Sequence, residues 1–280
     1  MKKVNINKIA RIVLFLAMAG VFVYSAISLI NIGLEYKEGQ DTYKDAAESV
    51  QLVTEEVSVT PVIVDKSTES ETEEEKIPTE PIATLEVDWS QYGDYPVCGW
   101  ISVQDNDTIN YPVVQSEDND FYLNHLYNGE WNGAGSVFID KRNDGFANRH
   151  CVIYAHNMKD GSMFTSIKKY QDQSYADEHR LIFIGTPDGE TKVFYVFSCF
   201  ITDARGEDTY DAYQVSFDDA NDEWKSWLAT TQEKSLITSG DMGTIESGNV
   251  ITLSTCTSRT EYERCVVHAV EILNEQPIEQ

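Results

Sequence analysis

Positive charge is scarce in this sequence. Its 280 residues hold 21 Lys plus Arg against 47 Asp plus Glu, a formal net charge of -26 at pH 7. That excludes a nucleic-acid binder working through a basic surface, because such binding is dominated by neutralisation of phosphates by Lys and Arg. Metal-ligand spacing is missing as well. No Cys-x-x-Cys pair and no His/Cys cluster with zinc-site spacing occurs, and the many acids form no calcium-loop pattern, so no metal is expected. A charge-free run long enough to span a bilayer occurs once. What is present supports folding: 41% hydrophobic and 11% aromatic residues suffice for a packed core and argue against disorder throughout.

The charge divides the chain into three segments. Residues 1–34 carry +4, residues 35–88 carry -12 and residues 89–280 carry -18. In the first, Ile12 to Ile30 is free of charge and spans about 28 Å as a helix. Lys2, Lys3, Lys8 and Arg11 all precede it, which predicts a single-pass membrane segment with a cytoplasmic N-terminus and everything after Asn31 outside. Ala17-Met18-Ala19 imitates a signal-peptidase site but lies in the middle of the apolar run rather than after it, which favours an uncleaved anchor. Residues 35–88 read as an acidic stalk. Ser67 to Glu75 is their most polar stretch and Pro61, Pro78 and Pro81 break helices, although Glu35 to Val53 could continue the helix and Val57 to Val64 could pair as a strand. Residues 89–280 have the length and aromatic content of an ordinary domain.

Within that domain, short β-like runs alternate with turns. Residues 98–103, 109–114, 135–140, 151–155, 181–184, 192–201, 250–255 and 265–273 read as strands, with Thr186-Pro187-Asp188-Gly189 turning a hairpin. Two helices interrupt them, at 163–170 and at 218–231, where Trp224, Trp227 and Leu228 share one face. The pattern predicts a mainly β fold with helical insertions, an antiparallel barrel that is closed or nearly so.

All five cysteines fall in the exported part, and an odd number leaves at least one free thiol, a candidate nucleophile. Cys98, Cys151 and Cys199 sit inside apolar strand runs, where structural burial is the simpler reading. Cys256 differs, because it ends the run Val250 to Thr255 and opens a polar loop. Arg264 begins the next strand, so an antiparallel return brings its guanidinium beside the thiol while Cys265 points to the opposite face. The same end-of-strand position selects His156 from five histidines: it follows Val152-Ile153-Tyr154-Ala155 and precedes a loop. His268 lies in mid-strand, His150 precedes its strand, and His125 and His179 read as helix or loop residues.

These residues carry a family resemblance. Thr252-Leu253-Ser254-Thr255-Cys256 followed by Arg264 resembles the T-L-x-T-C…R signature of sortases, membrane-anchored cysteine transpeptidases of Gram-positive bacteria. Tyr154 to Phe164 resembles the catalytic-histidine segment of class B sortases, and the helix before the cysteine strand fits that class. The resemblance spans roughly residues 89–274 and leaves out the acidic segment. It implies a closed eight-stranded β-barrel and a catalytic set of His156, Cys256 and Arg264, with the backbone N–H of Thr257 helping at the oxyanion. By position in the family, Asn119, Leu123, Tyr213, Ser254 and Thr255 would line the pocket for a sorting signal. Ser254 shares the face of Cys256, Leu123 and Tyr213 fit core packing equally well, and Arg259 rivals Arg264. The implied partners are surface proteins bearing a C-terminal sorting signal and an amine of the cell wall, with no cofactor. A hydrolytic cysteine peptidase would use the same dyad, and a non-catalytic surface protein would explain the anchor and acidity without chemistry.

Overall fold

A computed structural model describes residues 6–55, 82–205, 210–218, 222–239 and 248–272. The candidate strand 57–64, the acidic run Ser67 to Glu75, and part of the expected helix 218–231 lie outside the described residues.

The chain begins with a single helix, α1 (Ile6–Ala47), which contains the apolar run and continues well beyond it. Large apolar side chains from Ile12 to Leu34 point outward, with Phe22 and Tyr24 each 74% exposed. By length and composition this helix is long and apolar enough to cross a membrane. From Glu35 onward the same helix lies against the folded domain. Tyr43 is buried, its hydroxyl donates to the Gly135 carbonyl at 2.6 Å, and its ring meets Tyr111 edge-on at 5.2 Å. Gln40 Nε2 donates to Asp160 at 2.8 Å.

After α1, β1 (Val50–Glu55) pairs antiparallel with β2 (Ile82–Val87) over six positions, from Val50↔Val87 to Glu55↔Ile82. The packing therefore differs from a free spacer over residues 35–88. The two flanks of that segment are docked, and Glu55 pairs with Ile82 at the boundary of the described residues. Proline and charge identified the middle of the segment, whereas the docking depends on apolar residues such as Tyr43, Ala46 and Leu85, too thinly spaced to stand out.

The eight remaining strands are β3 (Val97–Val103), β4 (Asn106–Val114), β5 (Val137–Ile139), β6 (His150–Tyr154), β7 (Leu181–Gly185), β8 (Thr191–Asp203), β9 (Val250–Cys256) and β10 (Glu263–Ile272). They close into a barrel in the order β10-β8-β7-β3-β4-β5-β6-β9, and closure leaves no unpaired edge. Short helices decorate it: a 3-10 helix at Phe164–Gln171, α2 (Gln173–Glu178) and α3 (Glu223–Glu233), which buries Trp224, Trp227 and Leu228 against the sheet.

The antiparallel expectation needs one correction: β4–β5 and β6–β9 pair parallel. Parallel neighbours require long crossovers. The β6–β9 crossover contains both α2 and α3 together with the β7–β8 hairpin, so nothing local in the sequence announces that β6 and β9 touch. The core is packed from alternate positions of these strands, among them Ile101, Ile153, Leu253 and Val267, all buried.

Candidate active site

The parallel β6–β9 ladder runs from His150↔Val250 to Tyr154↔Ser254 in constant register. It is extended by Ala155 N–H donating to the Ser254 carbonyl at 3.3 Å and by Thr255 Oγ1 donating to the Ala155 carbonyl at 2.8 Å. Two residues past Tyr154 and Ser254, the same register brings His156 alongside Cys256. On the other side, β9 and β10 pair antiparallel with Arg264 opposite Cys256. The thiol thus ends the middle strand of three, with the imidazole on one flank and the guanidinium on the other. All three line one cleft of about 840 Å³.

Position at the cleft separates this cysteine from the other four. Cys256 and Cys98 are both half-buried, but of the two Cys256 alone lines the cleft; Cys98 Sγ donates to the Val113 carbonyl at 3.4 Å, and burial pushes the Cys98 and Cys151 thiols up to about 12. Cys199 and Cys265 are enclosed, with sulfurs 3.9 Å apart, and that contact together with burial drives the Cys199 thiol upward. A thiol held protonated is a poor nucleophile.

The histidines divide similarly. His150, which the structure makes the first residue of β6 rather than a residue ahead of it, is fully buried and pushed down to about 4 by that burial. Its Nδ1 donates to the Gln214 carbonyl and its Nε2 accepts from Thr252 Oγ1, both at 2.6 Å. His268 is fully buried against Phe200, and burial lowers it far below its ordinary value. His156 is only half-buried, and its Nε2 lies 2.6 Å from the Leu123 carbonyl. A carbonyl only accepts, so Nε2 carries a proton.

Gly135 holds that acceptor in place. It has φ +60°, and a Cβ there would come within 2.6 Å of the Tyr122 carbonyl oxygen and 2.7 Å of the Leu123 carbonyl oxygen. Only glycine fits both the backbone and the space.

The cleft also gathers Asn119, Leu123, Tyr213, Ser254 and Thr255. Tyr213 Oη is 3.1 Å from Ser254 Oγ, and burial pushes this phenol up to about 12, so it stays neutral. Asn119 donates to Asp140 at 3.1 Å and accepts from the Lys141 N–H at 2.8 Å. Thr255 borders the cleft, but its hydroxyl is spent on Ala155 as a strap between strands.

Thr257 departs from expectation. It does not line the cleft, and its N–H donates to the Glu263 carbonyl at 3.2 Å because the β9–β10 ladder continues past Cys256. An N–H used by the ladder is not free for an oxyanion.

The two arginines are placed differently. Arg259 is 71% exposed, 3.8 Å from Glu263 and away from the cleft lining, whereas Arg264 lines it. One Arg264 nitrogen, Nη1, donates to the carbonyls of Glu261 and Glu263 at 2.7 and 3.2 Å, which ties the guanidinium to the β9–β10 connection.

Residue-by-residue reading of the sequence missed a charged hub in the cleft wall. Asp140 is 1% exposed and receives Arg142 Nε at 2.8 Å, Arg142 Nη2 at 3.0 Å, Tyr154 Oη at 2.9 Å and Asn119. Burial pushes its carboxyl up, but the hydrogen bonds from Arg142 and Tyr154 outweigh burial and hold it below the usual range, charged. Arg142 Nη2 also donates to the Tyr213 carbonyl at 2.9 Å. Tyr154 was findable, since alternation puts it on the face of His156. The link from Asp140 and Arg142 to Tyr213 was not, because Tyr213 lies 71 residues from Arg142. Among the described residues no group of three or more His, Cys, Asp or Glu is placed to hold a metal.

The cleft described above lies largely within a matched family region. Residues 101–272 match the model of the sortase domain. Sortase B of Listeria monocytogenes is 36% identical over 171 residues, 59% of this chain and 65% of that protein. Sortase B of Staphylococcus aureus is 32% identical over 161 residues, 57% of this chain and 63% of that protein. The chain therefore matches just under two thirds of the length of either relative. Among solved structures, Bacillus anthracis sortase B in complex with AAEK1 superposes with a TM-score of 0.63 at 32% identity, covering 85% of this chain and 98% of that one.

Proposed function

We propose, for a chain that belongs to the sortase family, a class B type of cysteine transpeptidase that acts outside the cell on surface proteins carrying a C-terminal sorting signal. The observation that carries this reading is the placement of Cys256 between His156 and Arg264 at the ends of three adjacent strands, open to a single cleft.

In the proposed reaction the Cys256 thiolate attacks the carbonyl carbon of the scissile peptide bond, forming a C–S bond and a negative oxygen. As the intermediate collapses, the C–N bond breaks and His156 gives its proton to the leaving amine. An amine of the cell wall then attacks the thioester, the now neutral His156 takes the proton that the amine loses, the C–S bond breaks, and the thiolate returns as leaving group. Arg264 carries a permanent charge and stabilises the negative oxygen. Its tether through Nη1 to the Glu261 and Glu263 carbonyls supports that role by restricting the guanidinium before substrate arrives. Asn119, Leu123, Tyr213 and Ser254 are proposed to contact the signal, and Thr255 to act through the strap that positions Ala155 and therefore His156. No cofactor enters this scheme.

The apolar run of α1, preceded by four cations, supports a single-pass anchor with its N-terminus in the cytoplasm. The proposed organisation is an anchor over residues 1–34, an acidic segment over 35–88 and a catalytic domain over 89–280.

The test is to incubate the purified protein with a library of sorting-signal peptides, with and without an amine acceptor, and to identify products by mass. Amide products that need both the acceptor and Cys256 support the transpeptidase. Cleavage to free acids regardless of acceptor would make the chain a hydrolytic peptidase. No cleavage by folded protein would leave a surface protein without chemistry.

A further inference from the structure

Along α1, contacts with the barrel occur in a fixed order. Glu35 and Gly39 meet the turn around Asn132, Gln40 meets Asp160, Tyr43 meets Gly135 and Ser136, and Ala46 meets Tyr92. The turn of residues 128–133 is therefore the part of the barrel nearest to the apolar end of the helix. Its attachment is specific: Asn132 Nδ2 donates to the Glu35 carbonyl at 2.9 Å, and the Gly133 N–H donates to Glu35 Oε1 at 2.5 Å. A Cβ on Gly133 would lie 2.8 Å from that carboxylate, which would have to shift to admit it.

Glu35 is the first charged residue after Arg11, and it immediately follows Leu34, the last of the exposed apolar side chains of α1. At about 1.5 Å of rise per residue, Glu35 lies about 8 Å beyond Ile30, and the interfacial layer on each side of a bilayer is about 5–8 Å deep. On the same turn, Trp131 is 63% exposed, more than any other large apolar side chain outside α1 among the described residues. A tryptophan at this depth has an apolar ring and an N–H donor, the combination that favours the headgroup layer. The neighbouring charges, Glu35 and Glu130, are acidic, so attraction to anionic lipid does not explain the placement.

We infer that the turn carrying Trp131 rests in the headgroup layer of the membrane that α1 crosses, as a second point of contact that fixes the tilt of the barrel. This rests on the anchor reading above. The occupant is the bilayer interface, argued from the continuity of α1 through the membrane into the Glu35–Asn132–Gly133 contact. A catalytic consequence follows from the chain path. Trp131 forms an antiparallel bridge with His125, which stacks on Phe121, and Leu123 between them supplies the carbonyl held by His156. The membrane contact and the cleft share one short segment, so a substrate tethered to the same membrane meets the cleft at a set height.

The experiment uses the full chain in phosphatidylcholine vesicles whose acyl chains are brominated near the headgroup. Flotation first establishes that the chain is membrane-bound, and tryptophan quenching is then compared between wild type and Trp131→Phe. The expected result is quenching in wild type and its loss in Trp131→Phe, with unchanged circular dichroism. Flotation with equal quenching in both proteins, or with none in either, overturns the contact while leaving the anchor intact. Failure to float overturns the anchor and the inference with it. As a second readout, Trp131→Asp is expected to slow turnover of a membrane-tethered signal peptide and to leave a soluble peptide unaffected. Equal effects on both substrates would contradict the inference.

Discussion

Strands β6, β9 and β10 carry cysteine and histidine at two levels, and the levels behave as different chemical environments. At the end of the strands, Cys256 and His156 are half-buried at a cleft beside Arg264. A few residues along, His150 and His268 are buried beneath the aromatic side chains of α3 and β8, and Cys265, next to Arg264 but on the opposite face, is buried in the barrel core. The side chains are alike, but burial holds the interior histidines neutral, while position at a strand end leaves the other pair able to meet a substrate. Residue type supplies a reactive group, and its depth along the strand and the face it occupies decide whether it opens to the cleft.

The largest effect that would break this contrast is loss of the thiol at the outer level. Cys256→Ala is expected to lower kcat/KM for peptide transfer by about 10³-fold or more with little change in Tm, whereas Cys265→Ala is expected to lower Tm and leave kcat nearly untouched. Steady-state kinetics and thermal melts on the two variants check this. Activity surviving in Cys256→Ala would end the assignment.

The inner level is tested by pH. The unfolded chain protonates His150 near its ordinary 6.5, and the folded chain only near 4. The associated stability is therefore fully present above about pH 6.5 and is lost as pH falls toward 4, up to about 3 kcal/mol. His268 contributes with the same sign. Urea midpoints at pH 7.5 and 4.5 should show a smaller difference for His150→Gln than for wild type, and an identical difference would refute the neutral buried imidazole.

Next in size is the pair of arginines. Arg264→Ala should lower kcat/KM by about 10²-fold, the order expected for a group stabilising an oxyanion, with Arg259→Ala within about twofold of wild type. The reverse result would exchange their roles. The smallest effect belongs to the strap: Thr255→Ala removes one buried hydrogen bond and should cost about 1 kcal/mol of stability, measured by urea denaturation. A shift in the pH profile of kcat in that variant would further show that the strap positions His156.

The outer level was legible in the sequence because its signals are local. Cys256 and His156 each end an alternating run and open a polar loop, and Arg264 starts the next run. The strand pattern around them was equally readable, including the β7–β8 hairpin with its Pro-Asp-Gly turn and the tryptophan face of α3. The Asp140 hub was illegible as a unit, because Arg142 is local to it but Asn119 and Tyr154, which also donate to Asp140, come from other segments. The engagement of the Thr257 N–H was hidden for a related reason: whether a ladder continues past a strand end depends on the facing strand.

Alternation, turn chemistry and the apolar run of α1 are properties of a few consecutive residues, and by themselves they determined the strands, the helical insertions and the catalytic candidates. Only the tertiary structure decided which strands are neighbours. It placed β9 between β6 and β10 through a parallel crossover, joined the flanks of the acidic segment in a β1–β2 pair, and laid the end of α1 on the barrel. Those outcomes depend on closing the sheet and burying its apolar faces, a condition that the chain satisfies only as a whole.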